Sequence, residues 1–225
     1  MHMKNHIILL LTLFLVVFIS VAEAKNDEYE IVSKLSNEKI TLHAKKMGSL
    51  YRDFKLDFKG ESYFRPYWMN VTNPAYAPQI YYEDINKDGE KVLIIILTKG
   101  YGTGVLDEEV HVYRHTNGLI DVLVDNPIAI IYKSIKTSLT TNSAEIRLSD
   151  KVYKIDISPL EIQPANLFYD IAFGGSIHYE VQDNQLIVRV SGQISPASFI
   201  GEIVIVYEYR DKMYQAKSIE FEPYN

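Results

Sequence analysis

Apolar and polar side chains alternate with period two along most of the chain, which predicts strands with one buried face. Phe54, Leu56 and Phe58 alternate with Lys55 and Asp57, and Lys59-Gly60-Glu61 then turns the chain into Tyr63-Phe64. Residues 109–113 and 119–124 flank Thr116-Asn117-Gly118, where Asn-Gly predicts a tight hairpin with positive φ at both central residues. Further hairpins are expected at 177–181 with 186–190 around Asp183-Asn184, and at 202–209 with 214–221 around Arg210-Asp211-Lys212. Ser149-Asp150 joins another pair, 144–148 and 152–157. Val92-Leu93-Ile94-Ile95-Ile96-Leu97 is apolar on both faces, so it predicts a central strand covered on both sides. No window of about 12 residues carries a helical stripe, although residues 164–171 have room for a short turn of helix. The chain therefore reads as all-β, an antiparallel sandwich or a barrel-like stack of hairpins.

The first 24 residues are set apart from this pattern. Lys4 supplies a positive start, residues 7–21 are apolar except for Thr12 and Ser20, and Ala22-Glu23-Ala24 is an A-x-A cleavage pattern. Fifteen apolar-region residues fall short of the roughly 20 that a spanning helix requires, so 1–24 reads as a removable signal peptide. The expected product, 25–225, is secreted, extracellular or cell-surface associated, with no stable membrane insertion after cleavage. It divides near Asp125-Asn126-Pro127 into a β region at 25–127 and a β-hairpin region at 128–225, or forms one continuous domain; both readings stay open.

Composition narrows the chemistry. The chain has no cysteine, which removes disulfides, thiolate metal sites, cysteine nucleophiles and lipid anchoring through a cysteine. Cysteine-free export fits a bacterial protein. A net charge of −6 argues against nucleic acid as a partner, because counterion release needs clustered Lys and Arg.

One segment carries a metal-type pattern. Asp84-Ile85-Asn86-Lys87-Asp88-Gly89 places three oxygen side chains at alternate positions before a glycine, and the carbonyl of Glu90 stands next. Calcium takes six to eight oxygens, and a D-x-N-x-D-G loop folds its first, third and fifth side chains inward. The plain alternative is a hairpin turn, since Asp-Gly is itself a turn signal.

Residues 79–97, and more loosely those up to 113, resemble the calcium-binding repeat of FG-GAP/VCBS-type modules. In that family a short strand feeds a D-x-N-x-D-G loop that leads into an apolar strand, here 80–83 and 92–97. The resemblance implies one calcium held by Asp84, Asn86, Asp88 and Glu90. Several such repeats usually build a propeller, whereas this chain has a single copy. The ninth loop position is Val92 rather than an acid, and the twelfth is Ile95, so the expected site is weak, about 10⁻⁴–10⁻³ M. Glu83, Asp107, Glu108 and Glu109 are candidates to complete it.

Other motifs carry less. Gly100-Tyr101-Gly102-Thr103-Gly104 lacks the G-x-G-x-x-G spacing of a phosphate loop and predicts a bulged connection between strands. His111 and His115 lie four apart in a hairpin rather than on a helix, and Gly174-Gly175-Ser176-Ile177-His178 lacks the second glycine of a nucleophile elbow. The aromatic run Tyr63-Phe64-Arg65-Pro66-Tyr67-Trp68, with Tyr76, Tyr81 and Tyr82, suits either half-buried strand positions or contact with a glycan or peptide. Three readings result. The chain is a secreted non-enzymatic module binding an extracellular protein or glycan and stabilised by one calcium. Alternatively it is a wall-polymer or polysaccharide hydrolase using Asp84, Asp88 or Asp107 to Glu109, or a structural matrix component.

Overall fold

The computed structural model describes residues 28–224, so the expected signal peptide lies outside the described residues. Five strands open the fold: β1 (Tyr29–Leu35), β2 (Ile40–Met47), β3 (Leu50–Phe58), β4 (Glu61–Arg65) and β5 (Asn70–Val71). Next come β6 (Gln79–Glu83), β7 (Val92–Gly102), β8 (Val105–His115), β9 (Leu119–Val124) and a short helix, α1 (Pro127–Ser134). A three-stranded unit follows, β10 (Ile135–Leu139), β11 (Ser143–Leu148) and β12 (Lys151–Asp156). The chain ends in β13 (Ala172–Gln182), β14 (Gln185–Ser195), β15 (Ser198–Arg210) and β16 (Met213–Pro223). The all-β expectation holds.

Strands β1 to β5 form one sheet, and β6–β9 join β13–β16 in an eight-stranded sheet. That second sheet closes on itself. Strand β8 lies antiparallel to β7 along one edge. Its other edge is shared: β13 runs parallel to it at Leu106 and Asp107, and β9 runs antiparallel to it from Val112 to His115. Strands β14, β15 and β16 lead round from β13, and β16 meets β9 through Met213↔Leu123 and Tyr214↔Val124. The result is a ring of β8, β13, β14, β15, β16 and β9, with β7 and β6 extending from its wall. Between β13 and β9, residues 108–111 of β8 have no strand partner on that edge among the described residues.

Two cores lie on opposite faces of β7. Val92, Ile94 and Ile96 belong to the larger core with Val112, Leu186, Val188, Ile203 and Ile205. Leu93, Ile95 and Leu97 join Ile40, Leu42, Phe54, Leu56 and Phe58 of the first sheet. All six are at most 1% exposed, the two-sided burial expected of this run. Ile131 of α1 and Ala144, Ile146 and Leu148 of β11 pack into the same larger core. Pro127 falls at the start of α1, and strands on both sides of it share one sheet and one core.

The turns differ in detail from expectation. Asp183-Asn184 and Asp211-Lys212 have positive φ at both central residues, as two-residue hairpins with right-handed strand twist require. At Thr116-Asn117-Gly118 only Gly118 does, at φ 112, because the loop is three residues long and needs a single left-handed position. Helix α1 was not visible as a stripe because it has only eight residues. Its start is legible afterwards in Asn126, whose side chain accepts the amides of Ile128 and Ala129, and in Pro127 at the first helical position. The glycine-rich run continues β7 to Gly102 through a bulge between Thr98 and Gly100, and then turns into β8.

Candidate functional site

The acidic loop lies between β6 and β7, at the larger core's rim, where Ile85 is buried. Asp84 organises it: one carboxylate oxygen accepts the Asp88 amide at 3.1 Å and the other accepts that of Gly89 at 2.9 Å. Lys87 (φ 56) and Gly89 (φ 86) supply the left-handed positions that curl the chain round that carboxylate. Asp88 accepts the Glu90 amide at 2.9 Å. The Asn86 side-chain oxygen accepts the Tyr214 hydroxyl at 2.9 Å, while its Nδ2 is buried without a partner. Burial raises the Tyr214 hydroxyl to about 12, so it remains a donor.

Four expected ligand residues are thus gathered on one turn, and each oxygen-bearing side chain already has a protein partner. The fifth participant is a cation. Arg114 donates to the Glu90 carboxylate, lies 3.4 Å from Asp88, and is stacked on the Tyr209 ring at 4.9 Å. Cross-strand register explains its position, since Val92 at the loop's exit faces Arg114.

Asp107, Glu108 and Glu109 are not brought to the loop. Leu97 faces Glu109, five residues along β7 from Val92, which puts the acidic run about 17 Å away along the ladder. Asp107 and Glu109 instead hold Lys99 at 3.4 and 3.8 Å. The acids considered for hydrolysis are therefore divided between two places.

The second place is a crevice of about 420 Å³ where β13 and β9 part along β8, lined by Val110, Val122, Ile128, Ile177, Tyr179 and the acidic run. Glu108 turns into this seam with its side chain only 3% exposed. Its Oε2 accepts the backbone amide of Tyr179 at 2.7 Å and His178 Nδ1 at 3.0 Å. A carboxylate thus takes the role of the strand carbonyl that β8 does not offer. Bonding to Glu108 raises the His178 pKa against the opposing effect of burial. His111, stacked on Trp68 at 4.4 Å between ring centres, is pushed down to about 4 by burial and is neutral at pH 7. Sequence reading named these acids but placed them on the wrong partner, because a gap in a ladder leaves no mark in a period-two pattern.

Elsewhere, His43 Nε2 and Ser62 Oγ both donate to Asp57, at 2.8 and 2.5 Å. The carboxylate is the hub, so the order Ser–His–Asp that activates a nucleophile is not formed. The aromatic run splits: Trp68 and Tyr82 are core residues, whereas Phe64 and Tyr67 are exposed. Among the described residues no cluster of three or more His, Asp or Glu has metal-holding geometry, and no helix is long and apolar enough to cross a membrane. The chain matches no protein-family model, no curated protein and no solved structure at a significant level.

Proposed function

We propose that this is an exported, non-enzymatic β module that works outside the cell as a binding or interaction protein, with one weakly held structural calcium in the loop from Asp84 to Glu90. The observation that supports the ion is the double acceptance by Asp84 of the Asp88 and Gly89 amides, which winds Asp84, Asn86 and Asp88 onto one turn. The FG-GAP/VCBS-like spacing of the same residues agrees with it. Calcium here competes with Arg114 for the Asp88 carboxylate, while Arg114 also holds the Glu90 carboxylate beside the loop, which fits weak binding. The crevice beside β8 and the exposed Phe64 and Tyr67 offer surfaces for an extracellular protein or glycan.

The test is a thermal melt of the protein and of Asp84→Ala with millimolar calcium and with chelator. A calcium-dependent rise of several degrees in the parent, absent in the variant, supports the reading. Superimposable curves leave a hairpin loop closed by Arg114.

A further inference from the structure

The ring is shut at β8 by very little backbone. Strand β13 pairs with β8 only through Ser176↔Leu106 and Ile177↔Asp107, and the amide two residues beyond Ile177, that of Tyr179, goes to the Glu108 side chain. Beyond that point β13 leaves β8 and the crevice begins, with Glu108, Ile177 and Tyr179 among its lining. One buried carboxylate therefore ties β13 to β8 at the lip of the cavity. Its other strong donor, His178, is 40% exposed and can exchange protons with solvent. Thr98 Oγ1, at 3.5 Å from Oε1, adds little on the β7 side.

We infer that Glu108 and His178 form a pH-sensitive clasp on the ring: with His178 protonated the seam is held shut, and with His178 neutral β13 opens locally from β8 and the crevice widens. The inference is independent of calcium binding.

Protonating His178 turns a hydrogen bond with one ionised partner into an ion pair, and with Glu108 only 3% exposed the added attraction is screened less than on the open surface. The surroundings keep the switch on His178. Glu180 on β13 and Glu202 on β15 add to the pull on its proton. Arg189, opposite His178 on β14, is held by Glu180, Glu202 and Glu222 and stays charged. On β7 Lys99 is engaged by Asp107 and Glu109 of β8. Tyr81 on β6 and Tyr179 are raised by burial and remain neutral. His111, on the same stretch of β8, is already neutral at pH 7.

The sign follows. A histidine whose folded pKa is raised stabilises the closed form fully below its free value near 6.5, and loses that contribution as pH climbs through the raised value.

Amide exchange in ¹⁵N-labelled protein tests this, because the Tyr179 amide itself bonds Glu108. After correction for intrinsic base catalysis, its exchange should quicken about three- to tenfold between pH 6 and 9, following the titration of the His178 ring. In His178→Gln, which keeps a donor and cannot titrate, it should not change with pH. The central Ile95 amide should be unaffected in both. Three outcomes overturn the clasp: a flat Tyr179 profile in the parent, the same rise in His178→Gln, or an equal rise at Ile95 that reports global unfolding.

Discussion

The side-chain oxygen of Asn70 accepts the backbone amide of Thr98 at 2.7 Å, joining β5 to β7 where no ladder connects them. Its Nδ2 donates to the carbonyls of Val71 and Tyr76 at 2.7 and 2.8 Å, and the residue is 0% exposed. In the folded protein the Asn70 amide is therefore buried and fully engaged. Asn70→Ala strands a buried amide and two carbonyls and should cost about 2–4 kcal/mol by urea unfolding. Asn70→Asp keeps the acceptor but loses both donors and buries a charge, so it should be at least as damaging.

His111 sets an acid limb. Burial depresses its folded pKa to about 4. The fold's advantage is complete above the free value near 6.5 and drains away as pH falls toward 4, because the unfolded chain takes the proton first. With the side chain 18% exposed, this amounts to about 3 kcal/mol. Denaturant unfolding at pH 7 and pH 4.5 should show His111→Phe losing markedly less stability than the parent.

Gly201, at φ 149 in β15, lies where a Cβ would approach the Glu222 carbonyl oxygen to 2.3 Å and the Phe221 ring to 2.7 Å. The neighbour is backbone of the paired strand β16, which cannot move aside alone. Gly201→Ala should destabilise by about 2–4 kcal/mol, whereas Gly60→Ala, at φ 97 but with no atom in its way, should carry the backbone strain alone and cost less in the same unfolding assay.

Arg114 lies 3.4 Å from the Asp88 carboxylate that calcium would use and also donates to the neighbouring Glu90 carboxylate. On the proposed function, Arg114→Gln should tighten calcium binding about tenfold by calorimetric titration and enlarge the calcium-dependent rise in melting temperature. Unchanged affinity would separate Arg114 from the ion site.

Period two made most strands and hairpins legible, because a half-buried strand must alternate and a two-residue turn must use residues that tolerate positive φ. The six-residue apolar run announced its two-sided burial for the same reason. Ring closure was not legible: the parallel contacts of β13 with β8 and of β16 with β9 involve two residue pairs each, too few to impose a pattern. The acidic loop was recognisable from spacing alone, but its cationic neighbour arrives through register with β8, a relation between distant segments. Glu108 read as one of several acids available to a calcium site or a hydrolase, since nothing local distinguishes a carboxylate that will serve as a strand acceptor.

The six residues that serve two cores have a further consequence before the fold exists. Val92 to Leu97 is a β-branched, uncharged stretch with no proline, the kind of segment through which unfolded chains associate with one another. Lys91 precedes it and Lys99 follows two residues beyond its end. Charges at such flanks oppose stacking of the segment against copies of itself. After folding, the same lysines are taken up by Glu38 on one side and by Asp107 and Glu109 on the other. Substituting both with leucine would leave the native cores intact, yet refolding at high protein concentration should yield more aggregate than monomer.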